Sequence, residues 1–204
     1  MRPCSSRPLR PLARLALTAT VMLAASALLG GAAVASYTTG LGGQVFATGG
    51  SVFIDILPSA AGSLTNQIRL YTSYPDKSSF VLLGTDRSIG SVSLDDLGIA
   101  YGSNEEIVLG IAGYDGGLQD GPFFVGPASR NYDGIAHAIL QSGDLLGEGV
   151  VESVRLSWED KTGGYDNSYN DVVVRVRQTA PVPEPTTALL LGLGLTALAV
   201  RRGE

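Results

Sequence analysis

The chain has 204 residues, with 14 Lys and Arg against 19 Asp and Glu and a single cysteine, Cys4. One cysteine excludes a disulfide framework and a Cys-based zinc site. A net charge of −5 disfavours nucleic acid, whose recognition needs basic patches. Met1–Ala35 reads as a secretory signal peptide. Arg2, Arg7, Arg10 and Arg14 form its basic start and Leu15–Leu29 its apolar run. Ala33-Val34-Ala35 fits small-x-small cleavage and leaves Ser36 as the mature start. No twin-arginine pair precedes the apolar run, so the general secretion machinery is the expected route. Cys4 lies ahead of that run and leaves with the signal.

Ser36–Ala180 is long enough for one well-buried domain. Its 8 basic residues face 17 acids, a balance of about −9, so it is more acidic than the whole chain. Short strand-like runs alternate with Gly, Asp, Asn and Ser. Val52, Ile54 and Ile56 alternate with Phe53 and Asp55, and Ile68 and Leu70 with Arg69 and Tyr71. Phe80–Leu83 and Ile107–Ile111 are continuous enough to be strands buried on both faces. A weaker run spans Ile135–Leu140. Val154, Leu156 and Trp158, then Val172, Val174 and Val176, alternate with polar or small neighbours. Seven or eight strands with this spacing predict an all-β fold: a single β-sandwich, jelly-roll-like.

The densest polar stretch, Trp158–Asp171, joins two of these strands and gathers Glu159, Asp160, Asp166, Asn170 and Asp171. Calcium takes six to eight oxygens at about 2.3–2.6 Å, and this hairpin offers four carboxylates and an amide. It is not an EF-hand: counting from Asp166, Asp171 stands where glycine is required and Arg177 where glutamate is. Asx-turns and hairpin capping account for the same residues without an ion. Both readings stand on the sequence.

This loop resembles the end of a family of uncharacterised bacterial surface domains, the domain-of-unknown-function family numbered forty-one fourteen, whose pattern runs E-D…G-D-x-D-Y-N-D-V-V. Here Glu159-Asp160, Asp166, Tyr169-Asn170-Asp171 and Val172-Val173 match it. Upstream, Asn131-Tyr132-Asp133-Gly134-Ile135-Ala136-His137 is similar to the family's Asn-x-Asp-Gly-x-x-His and marks a second polar cluster, Asn131, Asp133 and His137. Ser168 departs from a usual Asp and Tyr165 from a usual Gly, which weakens a carried-over metal site by one carboxylate. The resemblance implies secretion and a calcium-rich setting, with no established activity.

His137 is the only histidine. It reads as a hydrogen-bonded structural residue, or as a base beside Asp133. The pairs Asp95-Asp96, Glu105-Glu106 and Glu159-Asp160 read as solvated faces, since adjacent acids point apart, although glycoside hydrolysis uses two acids across a cleft. There is no Gly-x-Ser-x-Gly elbow and no Walker loop, and Gly192-x-Gly194 falls inside an apolar run. Tyr71, Tyr74, Tyr114 and Tyr132, expected to be exposed, offer a shallow carbohydrate surface.

In the tail, Pro183 and Pro185 hold Val182–Pro185 extended. Thr186 can cap a helix that runs uncharged to Val200 and ends at Arg201 and Arg202. Such a helix spans roughly 22 Å, short of a hydrocarbon core of roughly 30 Å; snorkelling arginines and local thinning narrow the gap. Val182, Pro183, Glu184 and Pro185, the apolar run, and Arg201 and Arg202 together resemble the PEP-CTERM sorting signal of Gram-negative bacteria over Val182–Glu204. The resemblance implies an exosortase, a membrane protease, that recognises the triplet and removes a transiently anchored helix. An ordinary C-terminal anchor is the plainer alternative. The expected protein is an exported, non-enzymatic surface or matrix protein of a biofilm setting. A carbohydrate-binding module of the exopolysaccharide and a glycan hydrolase are the other readings.

Overall fold

Alternating side chains with a period of two make ribbons with one apolar face, and two such faces bury each other. The computed structural model describes residues 37–60, 65–72, 76–114, 118–145, 147, 149–160, 168–181, 192 and 194–195. Among the described residues there are ten strands: β1 (Gly40–Leu41), β2 (Val52–Leu57), β3 (Thr65–Tyr71), β4 (Phe80–Thr85), β5 (Gly90–Ser93), β6 (Val108–Tyr114), β7 (Leu118–Phe124), β8 (Ala138–Ser142), β9 (Val150–Trp158) and β10 (Val172–Thr179). One sheet has the order β1-β8-β9-β10-β2-β5 and the other β4-β3-β6-β7. Every pairing is antiparallel. The chain passes between the sheets after β2, β4, β5 and β7, as in a sandwich built by crossovers.

The core lies between the sheets. Ile54, Ile56, Val154, Leu156, Trp158, Val172, Val174 and Val176 face it from the larger sheet. Ile68, Leu70, Leu109, Ile111 and Phe123 face it from the smaller one. Burying each large side chain of this kind is worth about 1.5–3 kcal/mol, and the single tryptophan is fully enclosed. A second cluster, Tyr71, Val108 and Phe124, covers the outer face of the smaller sheet. There the Tyr71 and Phe124 rings lie 4.7 Å apart. A Cβ on Gly110 would stand 3.0 Å from the Tyr71 ring and 3.2 Å from the Phe123 carbonyl, so only glycine lets these rings lie flat on β6.

Three expectations change. The β6 run is buried on both faces, but β4 is an edge strand with Phe80 38% and Leu82 51% exposed. Its apolar run reflects one face in the core and the other under solvent. The weaker Ile135–Leu140 run becomes a strand only from Ala138, because Asn131–His137 is held as a loop. β1, β5 and β7 carry no clear alternation: two residues, Gly-Ser-Val-Ser, and a strand interrupted by Gly121-Pro122.

At one end of the core ladder the inward side chains turn polar, and one of them is acidic. Glu152 pairs with Gln178 at the far end of β9 and is 6% exposed, with its Oε1 buried and without a hydrogen-bond partner among the described residues. Burial pushes its carboxyl up to about 7. A folded-state value above the unfolded one means that folding is favoured while the group is neutral. That contribution declines as pH rises from about 4.5 through about 7. Glu152→Gln therefore stabilises the protein at pH 8, by up to about 3 kcal/mol, and changes little at pH 5; urea titrations at the two pH values measure it.

Candidate metal centre

Trp158 ends β9 with its indole in the core, and the chain then leaves the ladder at Glu159. Two backbone bonds and one to a side chain fix this exit. Asp171 N–H donates to the Trp158 carbonyl at 3.1 Å and Glu159 N–H to the His137 carbonyl at 3.0 Å. Asp160 N–H donates to Asp171 Oδ2 at 3.1 Å. The hairpin thus folds back so that Asp171 closes on the two acids that follow Trp158. Carboxylate oxygens of Glu159, Asp160 and Asp171 all lie within 4.8 Å of one another. Two oxygens bound to one calcium at about 2.4 Å can be at most about 4.8 Å apart, so the spacing suits a shared ion.

Glu159 is 2% and Asp160 3% exposed, which corrects their reading as a solvated pair. Adjacent acids point apart on a strand, but these stand beyond its last residue, where the backbone can turn both inward. Asp171 is half-buried. Asn170 does not join them: it is exposed, its amide oxygen accepts the Ser168 hydroxyl at 2.9 Å, and its carbonyl accepts Ala60 N–H. Asp166 lies outside the described residues. Immediately before Asn170, Tyr169 adopts φ +44°, a conformation uncommon for a side-chain-bearing residue. Burial, followed by the Glu159 charge, pushes its hydroxyl pKa up.

Asn66, missed in the sequence, reaches the cluster from the smaller sheet, and Asp86 braces it. Asn66 is fully buried, and its Nδ2 donates to Asp160 Oδ2 at 2.7 Å and to Asp86 Oδ2 at 3.3 Å. Asp86, 4% exposed in the turn after β4, also accepts Asn66 N–H at 3.1 Å. A signal existed: Asn66 shares the inward face of β3 with Ile68 and Leu70, a place where an amide must find partners.

The second cluster is a braced loop. Asn131 Oδ1 accepts Phe124 N–H at 2.7 Å and its Nδ2 donates to the Ile135 carbonyl at 2.6 Å. His137 places Nε2 2.8 Å from Asp133 Oδ2 and Nδ1 3.1 Å from the Glu159 carbonyl oxygen. Its enclosed ring stacks on Phe123 at 3.9 Å. Burial opposes it, but hydrogen bonds from His137 and Ile135 N–H hold the Asp133 carboxyl below its usual range. His137 therefore links this loop to the backbone of Glu159, while its side chain stays out of the carboxylate cluster.

The other acid pairs lie elsewhere. Asp95 and Asp96 are exposed on a 3-10 turn, and Glu105 is exposed. Glu106 takes a bidentate pair from Arg130 at 2.7 and 2.8 Å. Tyr71, expected at the surface, is 2% exposed because it packs on Phe124; Tyr132 is 56% exposed. The Tyr74 and Tyr114 side chains lie outside the described residues.

A family model, the PEP-CTERM protein-sorting motif, matches residues 181–203. No curated protein matches the chain. The sorting residues Val182, Pro183, Glu184, Pro185, Arg201 and Arg202, and the signal residues Ala33, Ala35 and Ser36, lie outside the described residues. Among the described residues no helix is long and apolar enough to cross a membrane. The matched motif implies an exported protein, delivered to the cell surface or beyond, with an exosortase as its processing partner.

Proposed function

We propose that the chain is a non-enzymatic surface or matrix protein whose sandwich binds calcium at Glu159, Asp160 and Asp171. The observation that carries this reading is the convergence of three carboxylates within 4.8 Å, two of them almost fully buried. A hard cation binds through oxygen ligands alone, and these three converging carboxylates place such oxygens within the reach of one ion. Hydrolysis of a glycosidic bond needs two acids flanking an accessible bond, about 5 Å or more apart; an enclosed, tighter cluster suits an ion better than a sugar. The sorting motif supports export to the cell surface, and the exopolysaccharide setting is part of the proposed reading. Glycan binding is the second reading, favoured by the exposed Tyr132 ring stacked on Phe123.

Thermal melts of the purified full-length chain in calcium and in excess chelator test the calcium reading. At about 100 times the dissociation constant the ion adds roughly 2.7 kcal/mol, raising the midpoint by roughly 5–15 °C. Glu159→Gln or Asp171→Asn removes most of the rise. Equal midpoints with and without calcium would sink the reading.

The sorting role has its own test. Replacing Pro183, Glu184 and Pro185 together by alanine leaves the tail uncleaved and the protein in the inner membrane fraction. Unchanged processing and release would exclude exosortase recognition of the triplet.

A further inference from the structure

The larger sheet turns a second face outward, away from the core. We propose that this face binds an anionic polysaccharide whose sugars carry carboxylates, with Arg155 and Arg175 as the residues that grip it. The proposal does not depend on the calcium reading and concerns different residues.

Alternation fixes which side chains look outward. Val172, Val174 and Val176 point into the core, so Arg175 and Arg177 point out; on β9, Leu156 points in and Arg155 out. The registers then set five polar residues in one line across the sheet. Gln141 pairs with Arg155, Arg155 with Arg175, Arg175 with Asp55 and Asp55 with Ser91. With strands about 4.8 Å apart, this line runs for about 19 Å. Such a length suits an extended polymer better than a lone ion.

Charge is the first ground. Ser36–Ala180 has 8 basic residues against 17 acids, yet Arg155, Arg175 and Arg177 share this one face. Asp55 is the acid in the line, and Arg177 holds it bidentately at 2.6 and 2.8 Å. The charge of Arg175 acts on the same carboxylate without reaching it as an ion pair. Arg155 and Arg175 stand directly opposite each other, and like charges so placed weaken a sheet. Among the described residues neither makes an ion pair or a side-chain hydrogen bond. An anion lying across the two would remove the repulsion.

The second ground is an unpaired donor. Arg175 is half-buried, and its Nε is closed off from solvent without a hydrogen-bond partner among the described residues. A charged group enclosed and unpaired is costly, and native folds rarely leave one without a reason. Enclosure of Nε also holds the guanidinium plane in place. A fixed plane is what a carboxylate needs to take two parallel N–H···O bonds from one arginine.

The margins of the line are the third ground. Phe53 borders it on one side, with the Arg177 guanidinium 5.2 Å from its ring centre. Leu57 and Ile139, both half-buried, border it on the other. A sugar ring presents C–H groups between its hydroxyls, so a polar lane with apolar margins fits it, whereas a bare phosphate or sulfate uses neither margin. Gln141, exposed at one end, offers hydroxyls both a donor and an acceptor. The acidic remainder of the domain repels the same polymer and confines it to this line.

The test titrates polygalacturonate, the carboxylated probe, into the full-length chain in excess chelator, so that no calcium site takes part. Neutral dextran, dextran sulfate and polyphosphate form separate arms. Polygalacturonate binds, neutral dextran does not, and the affinity falls severalfold between about 50 and about 200 mM salt. Arg155→Gln with Arg175→Gln lowers the affinity about tenfold or more. Arg155→Lys with Arg175→Lys recovers only part of it, because lysine keeps the charge and loses the fork. Arg87→Gln, in the exposed turn after β4, changes nothing. The glutamine pair leaves the thermal midpoint level or higher, since it removes opposed like charges, and so separates lost binding from lost fold. Unchanged affinity in the glutamine pair, or no binding of polygalacturonate by the wild-type chain, would overturn the proposal. Binding of dextran sulfate or polyphosphate in its place would overturn the carboxylate assignment in favour of that anion.

Discussion

The pairing of β9 with β10 fixes Trp158 opposite Val172, Leu156 opposite Val174 and Val154 opposite Val176. Because side chains change faces at every residue, a slip of one position would turn this whole set from the core to the outer face. The tryptophan, which fills the largest enclosed volume of the sheet, would then stand in solvent. The same register closes the hairpin at its open end, where Asp171 N–H meets the Trp158 carbonyl and Asp160 N–H meets the Asp171 carboxylate. The apolar ladder and the carboxylate cluster are consecutive steps of one pairing. A change that scattered the acids would also expose the core.

That coupling has an energetic consequence. Two unit charges about 4.8 Å apart repel by roughly 3–4 kcal/mol at an effective dielectric constant of about 20, and burial adds a desolvation cost for each. Domain stabilities are only about 5–15 kcal/mol. A cluster of this kind consumes much of what the apolar ladder supplies. Hydrogen bonds from Asp160 N–H and the Asn66 amide offset a part. On the proposed reading a divalent ion offsets the rest, and the folded state becomes strongly favoured only where that ion is present.

Much of the sandwich was legible because half-buried strands announce themselves by alternation. β2, β9 and β10 carry Val, Ile, Leu or Trp at alternate positions, apart from Glu152 and Gln178 at one end of the ladder, and the apolar part of their inward faces matches the expectation. Failures came where local pattern and tertiary position part. Phe80–Leu83 is as apolar as the buried β6, but its place at a sheet edge leaves Phe80 and Leu82 outside. Tyr71 ends a strand on the outer face and looked exposed, yet Phe124 and Phe80 close over it. Within the cluster, the hairpin acids could be read from their own spacing. Asn66 could not be placed beside them, since it and Asp160 are 94 positions apart and meet only because the chain crosses between sheets. Asn66 did carry a trace: an amide on the apolar face of an alternating strand.

The two ends of the molecule's logic then meet in its route. A chain with a PEP-CTERM sorting motif is bound for the outside of the cell, where modules of low affinity bind calcium at dissociation constants of about 10⁻⁴–10⁻³ M. On the proposed reading, a hairpin that closes three acids on one another closes least well where calcium is scarce, and calcium outside the cell favours the compact form by mass action. On this reading the core assembles from its own ladder, and the mouth of the hairpin is completed by the ion that the exterior provides.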